Sequence, residues 1–366
     1  MPRIAYFITP HGFGHAARAS AIMDAVTDIY PFVFFDIFTT VPEWFFEDAL
    51  SCRFEYHEFL ADIGLVQKTP FVHHLNETIE ILKRFIPFDP ALISDTADFL
   101  TKRKCRLVVC DISSMGIAIA AEAGIPSILI ENFTWDWIYE DFITVDARFG
   151  DYTDFFRDIY QGVDYHIQAA PVCNPNPVDM TTGPISRRVR LSSVRVREKL
   201  GVLPEKKMVL VTTGGVRAKY RFLKNLAADP EICFVIAGAN ESYKRYDNLI
   251  LLPFRSGFMH SDLANAADAV VGKAGYSTIA EVYQAGVPFG YVPRSNFRET
   301  EKLTAFIEKE MEGLRIHDTE FNSGKWIPKI SRLLNLNRVP QHVRNGSFQA
   351  AGLINDILKQ EQTKNG

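Results

Sequence analysis

The chain has 366 residues, more than one core usually organises, so two domains of comparable size are expected. Hydrophobic residues make up 47% and charged residues 23%, a globular balance that gives no argument for disorder, and a formal net charge of -4 gives no electrostatic reason to expect nucleic acid. The cysteines at positions 52, 105, 110, 173 and 233 form no CxxC or Cys/His cluster, which argues against a zinc site or disulfide framework and for a reduced, cytoplasmic location.

The opening MPRIAYFITP lacks the flank and cleavage site of a signal peptide and reads as a first buried strand. It runs into TPHGFGHAARA, a glycine turn that opens a helix from about His15. Gly12, Gly14 and Ala17 satisfy G-x-G-x-x-A, and Asp36 falls at the end of the next predicted strand, FVFFDIF, so a dinucleotide-binding enzyme using NAD stands among the readings. A bare tight turn would need the same glycines. His11 and His15 bracket the turn and Phe13 fills its middle, whereas a pyrophosphate prefers small side chains and backbone N–H groups. Imidazole titrates near neutrality, which suits proton transfer and makes both histidines candidate catalytic groups. The phenylalanine-rich run from Phe32 to Phe46 reads as strand and helix core, with a hydrophobic acceptor surface or peripheral membrane contact as the alternative. No run is long and apolar enough to span a bilayer.

CRLVVCD ends in Asp111, placed to orient a histidine, to bind an acceptor hydroxyl or merely to assist the cap of a helix beginning at Ser113 or Ser114. After the strand PSILIEN comes ENFTWDWIYE, where Trp135 offers a face to a sugar ring and Asn132 and Asp136 offer polar groups to its hydroxyls; an aromatic core junction is the rival reading. From Ala170 onward PVCNPNPVDMTTGPISRRVR carries no sustained periodicity and reads as the interdomain linker.

Beyond it strands and helices alternate again. KMVLVTTGG brings Gly214 and Gly215, followed by Arg217, a loop in which backbone N–H groups and charge meet an anion, or a simple turn. EICFVIAG, NLILLPF and LANAAD lead to VVGKAGYSTIAEVYQAGVPFGYVPR. There a strand ends at Lys273 and Gly275, Ser277 or Thr278 caps a helix, and Glu281 stands ready to accept two ribose hydroxyls. From about His342 to Gln360, Phe348, Ala351, Leu353, Ile354, Ile357 and Leu358 make one apolar helix face. The expected fold is α/β, with two Rossmann-like doubly wound domains, 1–182 and 183–341, facing a cleft, and a last helix, 342–366, packing back on the first.

The glycine turn with histidine, the TTGG loop and the G-x-S-T-x-x-E helix followed by A-G-V-P resemble the GT-B glycosyltransferases, the group of the peptidoglycan UDP-GlcNAc transferase and the UDP-glycosyltransferases. HGFGHAARA, IAIAAEAGIPSILIENFTWDWIYE and the Val270 to Arg294 stretch are similar to the N-terminal glycosyltransferase-like region of L-arabinokinases, and no kinase domain follows in this sequence. The resemblance implies an acceptor-side domain with His15 as the candidate base; His11 and Asp111 are, by their positions, the candidates to assist it, and Gly12 and Gly14 shape the turn an acceptor would approach. It implies a donor-side domain with Gly214 and Gly215 at the diphosphate, Ser277 and Thr278 near the phosphates, Glu281 on the ribose and the backbone at Phe254 along the base. After Pro293 the family places an acidic residue and a glutamine for the donor sugar; here RSNFRETE leaves Glu299 and Thr300 as the nearest candidates. Metal-independent, inverting transfer from a nucleotide-sugar, a UDP-sugar above all, to an unknown acceptor is the expected activity, with no cofactor and no Asp-x-Asp metal motif. An epimerase of the same fold, a noncatalytic nucleotide-sugar-binding protein and an NAD oxidoreductase are the alternatives.

Overall fold

A computed structural model of the chain describes residues 2–69, 72–215, 220–226, 229–341 and 343–364. They form two compact units, one comprising 1–66, 73–185 and 344–366, the other 67–72 and 186–343.

In the first unit, strands β1 (Arg3–Ile8), β2 (Phe34–Thr39) and β3 (Arg53–Glu58) come early; β4 (Gln67–Thr69) and β5 (Val72–His73), where the chain passes through the second unit at 67–72, form a separate two-stranded sheet. β6 (Cys105–Asp111), β7 (Ser127–Glu131), β8 (Tyr165–Ala169) and β9 (Met180–Thr182) complete a sheet of order β3-β2-β1-β6-β7-β8-β9, parallel throughout. Continuous apolar strands such as IAYFI and LVVC suit a sheet covered on both faces. β3, RFEYHE, is half-exposed and polar because it is the sheet edge. β9 is drawn from the stretch expected to be linker: three residues of it pair with β8 instead of running free.

The phenylalanine-rich run divides as expected of a core, with Phe35, Phe38, Phe45 and Phe46 buried and Phe32 at its start exposed. The last helix, Gly346–Lys364, packs on the helix Phe13–Ile29 through a face that buries Ala350, Ala351, Ile354, Ile357 and Leu358. Its first residue has to be glycine, since a Cβ there would lie 2.1 Å from the Gly183 carbonyl oxygen.

The second unit holds β10 (Lys207–Thr212), β11 (Ile232–Ile236), β12 (Lys244–Tyr246), β13 (Leu249–Leu251), β14 (Ala269–Lys273), β15 (Phe289–Val292) and β16 (Gly313–Arg315). Their order is β12-β13-β11-β10-β14-β15-β16, parallel except that β12 runs against β13. Both sheets are doubly wound, and among their parallel strands the order reverses between β1 and β6 in the first and between β10 and β14 in the second. The carboxyl ends of strands at such a reversal open the crevice in which α/β proteins bind ligands. No helix among the described residues is long and apolar enough to cross a membrane.

Candidate active site

Each reversal point carries a cluster of polar and charged side chains.

In the first unit, β1 feeds the turn at Gly12, whose φ of 79° only glycine adopts readily, and the helix begins at Phe13, two residues earlier than the sequence suggests. The Phe13 ring is anchored against Trp44 and Phe45, which explains a bulky residue inside a glycine turn. His15 then sits in the first helical turn, buried, with Nδ1 2.7 Å from Asp111 Oδ1 at the end of β6. Arg18, one turn further along the same face, donates through Nε and Nη2 to both Asp111 oxygens at 2.8 and 2.7 Å and through Nη1 to Asn132 Oδ1 at 2.6 Å.

Burial pushes the Asp111 carboxyl up, but the Arg18 charge and the hydrogen bonds from Arg18 and His15 outweigh it and hold it below its ordinary range. An ionised carboxylate only accepts, so the proton of the short contact belongs to His15 Nδ1, and Nε2 is left as the basic nitrogen. Ser113, not Asp111, caps the following helix, accepting from Gly116 N–H at 3.2 Å.

Two acceptor-side expectations are corrected. Trp135 has no exposed face: its indole N–H donates to Asp62 Oδ2 at 2.5 Å and its ring closes on Gly64, where a Cβ would lie 2.8 Å away, so it cannot stack on a sugar here. Asn132 is fully buried and its Oδ1 accepts from Arg18. Asp136 is half-buried, 4.0 Å from Arg157, and His11 lies edge-on to Trp135 at 5.2 Å. Gly14 is the second residue of the helix.

Asp62, which the sequence does not single out, is buried and pushed up to about 7 by that burial, with the Ile63 N–H and the Trp135 indole opposing the rise. Ser113 and Tyr139 tie down the carbonyls of Ala61 and Gly64 on either side of it.

Asp36 does not serve the dinucleotide reading. It lies in the middle of β2, not at its end, and takes hydrogen bonds from Arg3 at 2.9 and 3.0 Å and from His57 at 3.1 Å, with Arg103 at 3.0 Å. Asp36, Glu55 and His57 are the group of described residues close enough together to share a metal ion, but two guanidinium groups already neutralise the carboxylates.

In the second unit, β10 delivers Gly214 and Gly215 with φ of 68° and 86°, left-handed backbone that favours glycine. β14 delivers Lys273, and Gly272 before it must lack a side chain because a Cβ would meet the Thr212 carbonyl at 2.2 Å. A methyl placed on Gly214 would stand 3.5 Å from Lys273 Cε, 3.9 Å from its Nζ and 3.8 Å from Thr278 Oγ1, so the three groups converge on one point.

The helix Tyr276–Ala285 opens there with Gly275 at its N-cap and no side-chain cap. Neither Ser277 nor Thr278 caps it, contrary to expectation, and its first N–H groups carry the positive end of the helix toward the same point. Burial first, and the Arg294 charge second, depress the Lys273 ammonium to about 7, with Glu299 opposing.

Glu281 is more heavily engaged than a free ribose acceptor. Arg187 Nε donates to Oε1 at 2.8 Å and His260 Nδ1 lies 2.6 Å from Oε2. Burial works against ionisation, but Arg187 and His260 outweigh it and hold the carboxyl at about 2. His260 Nε2 is 3.2 Å from Thr212 Oγ1, which accepts from Gly214 N–H at 3.2 Å.

Glu299 is paired with Arg294, whose guanidinium also lies over the Phe297 ring at 3.6 Å, so the carboxylate expected to meet a donor sugar is held by its own neighbour. Thr300 Oγ1 is buried without a hydrogen-bond partner. Phe254 packs its ring onto Gly238, where a Cβ would lie 2.5 Å away. Arg217 lies outside the described residues. Arg18, Asp62, Arg187 and His260 went unread in the sequence; only Arg18 carries a signal, an arginine at i+3 from His15 in an alanine-rich helix.

Residues 236–357 match the model of the glycosyltransferase family 28 C-terminal domain. The chain is 26% identical over 363 residues to L-arabinokinase of Arabidopsis thaliana, covering 96% of this chain and 34% of that protein. It is 27% identical over 184 residues to the UDP-N-acetylglucosamine--N-acetylmuramyl-(pentapeptide) pyrophosphoryl-undecaprenol N-acetylglucosamine transferase of Corynebacterium diphtheriae, covering 45% of this chain and 49% of that one. It thus spans about a third and about half of the length of these curated relatives. Among solved structures it is similar to CalG4, the calicheamicin glycosyltransferase, with a TM-score of 0.63 at 15% identity, covering 98% of this chain and 99% of that one. The likeness to solved structures shows the fold, which is the GT-B fold, and residues 236–357 carry the likeness to a glycosyltransferase domain.

Proposed function

We propose that the chain transfers a sugar from a nucleoside diphosphate donor, a UDP-sugar, to a hydroxyl of its acceptor with inversion at the anomeric carbon. The observation that carries the donor half is the convergence of the Gly214 turn, the uncapped helix start at Gly275, Thr278 and the buried Lys273 on one point. A buried ammonium opposite two sources of backbone N–H groups suits a diphosphate, whose charge rises as it leaves. The UDP-linked donor is suggested by the name of the Corynebacterium relative.

His15 Nε2 removes the acceptor hydroxyl proton while the oxygen attacks the anomeric carbon. The bond from that carbon to the diphosphate oxygen breaks, and its electron pair leaves on the diphosphate. Asp111 fixes the tautomer through Nδ1–H and stabilises the imidazolium that forms, and Arg18 fixes Asp111. Donor-side charge is met by Lys273, Gly214 and the helix start, with no step assigned to a metal.

The test is a thermal-shift panel of UDP, GDP, dTDP, ADP and NAD with sugar conjugates of each nucleotide. Stabilisation by UDP and UDP-sugars is expected, and stabilisation by NAD alone would overturn the reading. A second reading, a noncatalytic nucleotide-sugar-binding protein, draws on the pairing of Glu299 with Arg294; it is favoured if nucleotide-sugars bind and neither transfer nor hydrolysis follows.

A further inference from the structure

Glu281 is reached from two sides by groups that a solitary ribose acceptor would not need. Because that carboxylate is ionised it can only accept, so its 2.6 Å contact places the proton on His260 Nδ1. His260 Nε2 lies 3.2 Å from Thr212 Oγ1 and hydrogen-bonds to it, accepting in the neutral ring and donating in the imidazolium. Thr212 Oγ1 also accepts from Gly214 N–H at 3.2 Å. In either form a continuous chain of hydrogen bonds runs from the Gly214 amide through Thr212 and His260 to the Glu281 carboxylate, which Arg187 secures from the other side at 2.8 Å. Each carboxylate oxygen retains a second lone pair, enough for the two hydroxyls of a ribose diol.

We propose that His260 is a positioning residue that couples ribose recognition at Glu281 to diphosphate recognition at Gly214. This rests on the reading that the second unit binds a nucleoside diphosphate. Nδ1 fixes the plane of the carboxylate that reads the diol. Nε2, through Thr212, fixes the direction of the Gly214 turn. A ribonucleotide that satisfies one end finds the other prepared, and a 2′-deoxynucleotide leaves a buried acceptor of Glu281 unused. The imidazole bridges the carbonyl-end loops of β10 and the helix Tyr276–Ala285 from the first residue of the helix His260–Ala266.

The two nitrogens can be removed one at a time. Asparagine sets an amide nitrogen near the position of Nδ1 and keeps the donor to Glu281, while glutamine reaches the position of Nε2 and keeps the link to Thr212. Calorimetry on the full chain would use three probes: the best-binding of UDP, GDP and ADP, its 2′-deoxy form, and inorganic pyrophosphate.

In the native chain the ribonucleotide should bind about 10-fold or more tightly than the deoxy form, the size expected for a hydrogen bond to a charged group. His260→Asn should keep that preference and weaken pyrophosphate about 3- to 10-fold. His260→Gln should bind pyrophosphate as the native chain does and lose most of the preference. Like losses on all three probes in both variants, or no change in either, would overturn the coupling. Should a variant at 260 lose its melting transition, Thr212→Val removes the same link from the other end and should weaken pyrophosphate selectively; an unaltered affinity there would equally overturn it. Failure of the native chain to bind any of the nucleotides would sink the nucleotide reading itself, whereas native binding with indistinguishable variants would sink only the coupling.

Discussion

Replacing Lys273 by methionine keeps the length and apolar stem of the side chain and removes the one charge that faces the Gly214 turn from β14. Nζ stands 3.9 Å from where a Gly214 methyl would be, within reach of an anion cradled by that turn. A hydrogen bond to a charged group contributes about 1.5–3 kcal/mol, so UDP-glucose should bind roughly 10- to 150-fold more weakly to Lys273→Met, while uridine, which has no phosphate, should be unaffected.

The pH dependence sharpens the expectation. Burial and Arg294 depress the free ammonium to about 7, and a bound anion raises it. Native affinity should be level below pH 7 and fall by up to about tenfold per unit above it, because binding must then take up a proton. UDP-glucose is the right probe because a diphosphate diester lacks the secondary phosphate ionisation that would blur the profile. The ligand-free protein should respond with the opposite sign. A lysine depressed in the fold from 10.5 destabilises it fully below pH 7 and progressively less as pH rises, so Lys273→Met should melt higher than the native chain at pH 6. Calorimetry from pH 6 to 9, in buffers of different ionisation enthalpy, checks the proton uptake. Parallel pH profiles for the native and Lys273→Met chains, or equal affinities, would refute the assignment.

With a confirmed acceptor, His15→Ala should lower turnover by about 100-fold or more at unchanged donor affinity, as loss of a general base does, and near-native turnover in a folded variant would remove His15 from the chemistry. Arg18→Met strands the buried Asp111 carboxylate and should cost about 3–5 kcal/mol in urea unfolding. Asp62 sits at about 7 in the fold against an ordinary 3.8, a gap worth roughly 4 kcal/mol. With a raised carboxyl the folded state holds the extra proton, so the native chain should lose stability relative to Asp62→Asn as pH climbs from 4 to 7, and then level off. Unfolding curves with the same pH dependence for both would contradict this.

The two doubly wound units were legible because their strands are unbroken apolar runs followed by glycine turns, a pattern set by local chemistry. β3 escaped notice since an edge strand of alternating charge, RFEYHE, carries no such signal, and β9 because three residues in a proline-rich stretch pair only through tertiary context. At the site, the loops that hold the backbone were readable from Gly214, Lys273 and Gly275. What they touch was not. Trp135 looks like a platform for sugar until its indole is found closed on Asp62 and Gly64. Glu281 looks available until Arg187 and His260, 94 and 21 residues away in sequence, arrive at its two oxygens. Long-range partners of a buried charge leave no local pattern, and Arg18 is the exception only because it lies one helical turn from His15.

The most direct test of the proposed transfer is to follow an α-linked UDP-sugar with the native chain and an acceptor library. Mass spectrometry reads glycosylated product and released UDP, and proton NMR reads the anomeric coupling. Release of UDP matched by a β-linked product is expected. An α-linked product, or conversion of the nucleotide-sugar into an epimer with no acceptor consumed, would contradict it.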